Sequence, residues 1–332
     1  MPPLASSCVR KICRRPIGCD EGPMSTRHLV DPELIALIDS FPRMDLSDAT
    51  LPDIRTRMAR VLTAASLPDL PVVCRAVFIP SGEGERRIRC LLIQPRDGLK
   101  NAPAILHFHG GGHVLGTPEM NQPQLMQWAA ELSCLVLSVD YRLAPETPFP
   151  GPMEDGYAAL RWLHETAGDL GIDTARIAVS GESAGGAMAA CLCLMARDRG
   201  EYALAFQHLE MPRLSDLLPD PPNPSTGEYI WRAENSAYCH TAYLAGSESP
   251  YASAARAENL AGLPPAYIMV GALDLFVDEC LQYTARLIGA GVATELIVYP
   301  GCVHGFRMAG RATAARRANE DSLRALYKAL SA

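Results

Sequence analysis

The chain has 332 residues, of which 48% are hydrophobic and 20% charged, and its formal net charge is −7. These values are typical of a globular protein with a large buried core, built as one α/β domain or as two domains. The negative charge and the lack of a long basic stripe argue against a nucleic-acid-binding protein. No apolar run approaches the roughly 18 residues that would span a bilayer.

The first 24 residues differ in character from the rest of the chain. They contain Arg10, Lys11, Arg14 and Arg15, and no apolar segment follows these charges. We therefore expect neither a secretory signal nor a membrane anchor, but a disordered tail over residues 1–24, before a single domain over residues 25–332. Translation from Met24 is an open alternative.

The chain holds eleven cysteines, an odd number, and no C-x-x-C pair. A disulfide framework belongs to small secreted proteins, and the cysteine spacings do not fit a zinc site. The cysteines therefore favour free thiols in a reducing compartment, which predicts a cytoplasmic location.

Hydrophobic periodicity predicts an alternation of strands and helices after residue 100. Before it, two amphipathic helices are expected over 31–41 and 54–62, and two strands over 71–80 and 86–95 pair across a short turn. The later predicted strands are 104–108, 134–139, 177–179, 203–210, 267–270 and 295–299, and the helices are 123–132, 153–166, 184–197, 278–290 and 314–330. The alternation predicts an α/β fold, with a mostly parallel central sheet and helices on both faces.

A proline-rich stretch interrupts this alternation. We interpret residues 212–250 as an inserted cap segment, which the amphipathic residues 31–65 share. Its large side chains either line an acyl pocket or only pack the cap; they are Met211, Trp231, Tyr238 and Tyr243.

Two glycine-rich motifs each follow a predicted strand. His109-Gly110-Gly111-Gly112 comes after strand 104–108, and Gly181-Glu182-Ser183-Ala184-Gly185 lies between strand 177–179 and helix 184–197. The second is a G-x-S-x-G motif in the context where a sharp turn exposes the serine hydroxyl. The first is the kind of turn that offers backbone N–H groups to an oxyanion. Together the two motifs indicate a serine hydrolase.

A serine hydroxyl becomes a nucleophile when a base takes its proton and a third group orients that base. Asp274 and His304 each follow a late predicted strand, at the sheet edge where open α/β sheets bind ligands. The order Ser183, Asp274, His304 is the chain order of α/β-hydrolase triads. We therefore predict Ser183 as nucleophile, His304 as base and Asp274 as acid.

Two other carboxylates compete with Asp274 for the role of the acid. Asp278 and Glu279 follow it closely, but Asp278 is better placed as the N-terminal acid of the next helix. Asp274 lies closest to the end of the strand, which favours it.

Backbone N–H groups of Gly111, Gly112 and Ala184 form the predicted oxyanion hole, since glycine lets the chain approach a substrate closely. Gly110 and His109 support this turn, with His109 bonding locally to shape it. Glu182 either orders the serine turn through a hydrogen bond or is a solvated acid at a helix start.

A metal site is the alternative explanation for three nearby histidines. His107, His109 and His113 are close in sequence, but the carboxylates that a catalytic zinc site often adds are missing nearby. The glycines have a better explanation as oxyanion donors. We expect no metal and no cofactor.

These motifs together resemble those of the bacterial hormone-sensitive-lipase-like esterases, from about residue 30 to the end of the chain. The matching segments are His109-Gly110-Gly111-Gly112, Tyr141-Arg142-Leu143-Ala144-Pro145-Glu146, Gly181-Glu182-Ser183-Ala184-Gly185-Gly186, Tyr251-Ala252-Ser253, Gly262-Leu263-Pro264-Pro265-Ala266, Asp274 with Asp278-Glu279, and His304-Gly305-Phe306. The chain departs from the family pattern at Glu182, where aspartate or threonine is more frequent, and after Asp274, where a proline is frequent.

The resemblance implies an α/β-hydrolase core with a helical cap, and hydrolysis of carboxylic esters with short or medium acyl chains. It assigns the same roles to Ser183, Asp274, His304 and the three oxyanion donors. The expected partner is a small ester substrate, and a homodimer is an open alternative because members of such families often dimerise. Two other functions stay open: hydrolysis of amides, peptides or lactones by the same triad, and ligand binding without catalysis on the same scaffold.

Overall fold

The computed structural model describes residues 25–63, 66–216 and 223–331. The predicted tail over residues 1–24 lies outside these residues, as does the centre of the proline-rich stretch. The strands are β1 (Val72–Pro80), β2 (Arg87–Pro95), β3 (Ala102–Phe108), β4 (Leu135–Val139), β5 (Ile172–Glu182), β6 (Phe206–Glu210), β7 (Ala266–Gly271) and β8 (Thr294–Tyr299). The helices are α1 (Ile35–Ser40), α2 (Leu51–Thr63), α3 (Gln122–Glu131), α4 (Gly151–Glu165), α5 (Ala167–Leu170), α6 (Ala184–Arg199), α7 (Ala233–Leu244), α8 (Val277–Gly289) and α9 (Thr313–Leu330).

All eight strands form one sheet in the order β1-β2-β4-β3-β5-β6-β7-β8. β1 and β2 pair antiparallel, and β2 also pairs antiparallel with β4. Every neighbouring pair from β4 to β8 is parallel. The predicted α/β fold with a mostly parallel sheet is therefore confirmed, as is the predicted pairing of the first two strands.

Helices cover both faces of the sheet, as neighbouring side chains of β3 show. His107 faces α3, where its ring centroid lies 6.4 Å from that of Trp128. Phe108 points to the opposite face, since a Cβ added at Gly156 of α4 would lie 2.9 Å from its ring. Because β3 is covered on both faces, its side chains form a mostly apolar run rather than an alternating pattern.

The largest difference from the predicted elements is at β5. The sequence predicts a strand over 177–179, whereas β5 begins at Ile172. Its first residues include Asp173 and Arg176, which form an ion pair at 3.0 Å and so do not belong to a buried apolar run. This polar part of the strand pairs with the start of β3, where the register shifts.

The described part of the cap segment contains the helix α7, which hydrophobic periodicity does not predict. In the described part of the chain, no helix is both long and apolar enough to cross a membrane.

Candidate active site

Ser183 is the single residue between the end of β5 and the start of α6. Its backbone has φ 57° and ψ −114°, a sparsely populated conformation for a residue with a side chain, found where the surrounding structure enforces it. The flanking glycines make the tight turn possible. A Cβ at Gly181 would lie 2.2 Å from the carbonyl oxygen of Gly185, and one at Gly185 would lie 2.1 Å from that of Phe108.

The side chains of Ser183, His304 and Asp274 form a continuous hydrogen-bonded chain. Ser183 Oγ lies 3.0 Å from His304 Nε2, and His304 Nδ1 lies 2.8 Å from Asp274 Oδ2. All three residues are buried. With the proton on Nδ1, His304 donates to Asp274 and presents the Nε2 lone pair to the serine hydroxyl, which is the arrangement of a nucleophile, a base and an orienting acid.

Opposing effects act on the pKa of His304. Burial favours the neutral ring, but the charge of Asp274 and its hydrogen bond favour the protonated ring more, and Glu182 adds to this. The net result is a pKa above the usual histidine value. The other oxygen of Asp274 accepts a hydrogen bond of 2.9 Å from the backbone N–H of Phe276, which fixes the carboxylate.

The two alternative acids point elsewhere. Asp278, in the first turn of α8, accepts a hydrogen bond of 3.1 Å from the Asn223 side chain. Glu279 accepts bonds from the backbone N–H groups of Leu214 and Ser215 at 3.1 and 2.7 Å. Neither is hydrogen-bonded to His304, so Asp274 is the carboxylate that the fold places against the histidine.

The glycine motif after β3 lies directly beside the serine. A Cβ added at Gly110 would lie 3.6 Å from Ser183 Cβ. Gly111 and Gly112 have φ values of 114° and 65°, a region that favours glycine. The N–H groups of Gly111, Gly112 and Ala184 donate to no other residue in the described ranges, so these three donors are free to bind an oxyanion.

His109 is fully buried and braces the glycine turn. Its Nδ1 donates to the carbonyl of Gly110 at 2.8 Å, and its ring stacks on Tyr141 with centroids 4.2 Å apart. The hydroxyl of Tyr141 donates in turn to the His109 carbonyl at 2.8 Å. His107 points away from this turn and lies 2.9 Å from Ser138 Oγ.

Glu182 is held by two polar neighbours. Its carboxylate accepts a hydrogen bond of 3.1 Å from the side chain of Asn121, and it lies 3.6 Å from an Arg307 guanidinium nitrogen. Of the two interpretations of Glu182, these contacts favour a group that orders the serine turn.

Residues of the cap segment contact the site directly. A Cβ at Gly112 would lie 2.5 Å from Cys239 Sγ of α7 and 2.8 Å from the Trp231 ring. The Trp231 ring centroid is 6.1 Å from that of His304. The N-terminal segment joins the same cluster, because Asn235 donates to the Met44 carbonyl at 3.0 Å and Tyr238 to Asp48 at 2.8 Å.

The sequence analysis did not predict the buried ion pair between Arg307 and Glu210, which adjoins the site. Arg307, three residues after His304, donates to Glu210 at 2.6 Å, and both side chains are at least nine-tenths buried. The backbone carbonyl of Glu210 accepts the N–H of Ser183 at 2.9 Å. An acid at the end of a predicted buried strand, here 203–210, is a signal that could have indicated this pair.

Comparisons with known proteins agree with this geometry. A family model described as alpha/beta hydrolase fold matches residues 105–308. The chain is 36% identical over 305 residues to the esterase LipI of Mycobacterium tuberculosis, covering 90% of this chain and 94% of the relative. It is 35% identical over 320 residues to the carboxylesterase NlhH of the same organism, covering 93% and 99%. The solved structure of a bacterial heroin esterase matches with a TM-score of 0.87 at 37% identity, covering 92% of this chain and 99% of that one.

Proposed function

This chain belongs to the hormone-sensitive-lipase-like esterases of the alpha/beta hydrolase fold, and we propose that it cleaves carboxylic esters through an acyl-enzyme formed on Ser183. The observation that supports this mechanism is the hydrogen-bonded chain from Ser183 through His304 to Asp274. Its order and geometry are those required for nucleophilic acyl transfer.

In the first half of the proposed reaction, His304 Nε2 takes the proton of Ser183 Oγ as that oxygen attacks the ester carbonyl carbon. The N–H groups of Gly111, Gly112 and Ala184 stabilise the negative charge that develops on the carbonyl oxygen. His304 then gives its proton to the departing alcohol. In the second half, water attacks the acyl group with His304 as base, and the acid and the free Ser183 are released.

Asp274 keeps the proton of neutral His304 on Nδ1 and stabilises the imidazolium that forms. We propose that the described parts of residues 31–65 and 212–250 form a cap over this site, because Trp231 and Cys239 pack against Gly112. Trp231 and Cys239 then limit the space for the substrate, which favours short or medium acyl chains. The described cysteines are all free thiols, which supports a cytoplasmic location. A homodimer rests on the family resemblance alone.

The test is hydrolysis of p-nitrophenyl esters from acetate to palmitate by the wild type and by Ser183→Ala. We expect the variant to lose activity by about 10³-fold or more while its melting temperature stays close to that of the wild type. Ser331→Ala, an exposed serine that follows α9, is the matched control and should keep full activity. Activity that survives in Ser183→Ala would exclude this mechanism.

A matched ester and amide pair distinguishes the esterase from an amidase with the same triad. We expect the ester to be hydrolysed far faster, since its leaving group needs less assistance from the acid. Faster cleavage of the amide would indicate a peptidase or amidase instead.

A further inference from the structure

Arg213 is a buried cation next to the nucleophile. It is 3% exposed and follows Pro212 shortly after the end of β6. Its backbone N–H donates to the carbonyl oxygen of Ser183 at 3.2 Å. The backbone of Arg213 is therefore hydrogen-bonded directly to that of Ser183, the proposed nucleophile.

The guanidinium of Arg213 has few partners among the described residues. Its Nη1 reaches the carbonyl of Ser215 at a long 3.5 Å, whereas Nε and Nη2 are buried without a hydrogen-bond partner. Among the described residues it forms no ion pair, and the nearby carboxylate of Asp216 is bound by Arg256 at 2.7 Å. A buried charge without a partner is costly, so such groups are rare unless a ligand completes them.

The surroundings of Arg213 place it where the cap segment meets the glycine turn. Its guanidinium carbon lies 5.9 Å from the ring centroid of Tyr243 in α7. The Tyr243 ring stacks on His113 with centroids 3.8 Å apart, and His113 directly follows the oxyanion glycines. Tyr243 and His113 therefore connect Arg213 to the glycine turn at which the ester would bind.

The described titratable groups around Arg213 form no ion pair with it. Burial, and then the charge of Arg213, hold the pKa of His113 well below its usual value and lower the pKa of His240 to about 3. Both rings are thus neutral near pH 7. Desolvation raises the pKa of Glu279 to about 8, although the charge of Arg213 and the backbone N–H groups of Ser215 and Leu214 act in the opposite direction.

We propose that Arg213 binds a carboxylate on the substrate, so that the preferred esters are acidic ones. A guanidinium fork can bind a carboxylate through two parallel charge-assisted hydrogen bonds, and Arg213 has two unpartnered nitrogens to offer. The carboxylate belongs to the acyl part or to the alcohol part of the ester. This inference rests on the proposed esterase function and adds a substrate class to it.

The test compares acidic esters with neutral analogues of the same shape. Monoethyl adipate and the analogue in which its free carboxylate is a carboxamide test the acyl side. 3-Acetoxypropanoate and 3-acetoxypropanamide test the alcohol side. We expect one pair to show a kcat/KM ratio of acid to amide of about tenfold or more in the wild type, and the pair that does so identifies the side.

Three variants test whether the acid-to-amide ratio of kcat/KM depends on Arg213. In Arg213→Met the ratio should fall to about one or below, whereas Arg213→Lys, which keeps the charge, should retain part of it. Arg324→Met, which removes an exposed arginine paired with Glu295, is the matched control and should leave the ratio unchanged. Because each ratio is taken within one protein, partial loss of folded enzyme cancels.

Calorimetric titration of Ser183→Ala with the same compounds gives an answer that does not depend on turnover. We expect the acidic ester to bind more tightly than its amide, and the difference to vanish in Ser183→Ala with Arg213→Met. Equal binding of acid and amide, or a ratio that survives in Arg213→Met, would overturn the inference. Failure of the wild type on p-nitrophenyl acetate would contradict the proposed function itself, a separate result.

Discussion

Arg307 and Glu210 form a buried ion pair that joins the loop of His304 to the strand beside Ser183. Arg307 Nη1 lies 2.6 Å from Glu210 Oε1, and the Glu210 carbonyl holds the N–H of Ser183. The pair therefore links His304 and Ser183, the proposed base and nucleophile, through groups that lie outside the proposed substrate contacts. We expect it to set their relative position.

For Arg307→Met we expect two separable effects. The folded state should lose roughly 3–5 kcal/mol in urea unfolding, because Glu210 is left as an unpaired buried charge. The kcat should fall about tenfold or more at little change in KM, because the Ser183 to His304 geometry loosens.

The double variant Arg307→Met with Glu210→Gln distinguishes positioning from stability. We expect it to recover much of the free energy of unfolding, since no fully buried unpaired charge remains, but not the kcat. Recovery of both quantities together would mean that the pair acts only on stability.

The pH dependence of the reaction should report the pKa of His304. The base must be neutral, and Asp274 raises its pKa, so kcat/KM should rise with pH through a midpoint above about 6.5, the ordinary histidine value. In Asp274→Asn the midpoint should move to lower pH, because the charge that favours the protonated ring is gone. The maximal rate should fall by about 10³- to 10⁴-fold.

Asp278→Asn is the matched control for that profile. Asp278 binds Asn223 and not His304, so its removal should leave the midpoint in place. A midpoint that moves in Asp278→Asn and stays in Asp274→Asn would reverse the assignment of the acid.

A comparison of alanine variants at Gly112 and Gly200 separates the effect of a steric clash from the effect of backbone conformation. Their φ values are nearly equal, 65° and 68°, but a Cβ at Gly112 would meet Cys239 Sγ at 2.5 Å, whereas one at Gly200 has nothing within 4 Å. We expect both alanine variants to lose about 1–2 kcal/mol of stability from the left-handed backbone. Only Gly112→Ala should also lose activity, by about tenfold or more, because the oxyanion donors shift. Equal activities would exclude a role for this turn in catalysis.

His208 should make the protein less stable in mild acid. Its ring is buried between Ser180 and Ser322 at 3.0 and 2.9 Å, and burial, with the nearby charge of Arg307, lowers its pKa to about 3. Between pH 3 and the unfolded value near 6.5, the unfolded chain binds a proton that the folded chain does not. The free energy of unfolding therefore decreases as the pH falls through this window, by up to about 1.4 kcal/mol per pH unit from this group.

The variant His208→Gln tests this linkage. Its overall stability should be lower, but the slope of the free energy of unfolding between pH 4 and 6 should be smaller by the amount stated. An unchanged slope would show that His208 does not hold its neutral form in the folded state.

The sequence was sufficient to predict the parallel strands and the order of the motifs, for a physical reason. Strands buried on both faces are short apolar runs, and the serine turn needs glycines at fixed spacing because Gly181 and Gly185 approach backbone atoms closely. These are local requirements, and they leave a local pattern. The polar start of β5 has no such local pattern, since it forms a strand only by pairing with β3, a distant segment of the chain.

What only the tertiary structure decided is which charges meet. Nothing in the spacing of Glu210, Arg307 and Ser183 shows that they share one hydrogen-bonded group, because a side chain's partner across a sheet depends on strand order. The same holds for Arg213, which in the sequence is simply a basic residue that follows a proline. That its Nε and Nη2 are buried without a hydrogen-bond partner is a property of packing. The sequence by itself determined the fold and the chemical class, whereas the burial and pairing of charges, on which substrate preference depends, came from the three-dimensional arrangement.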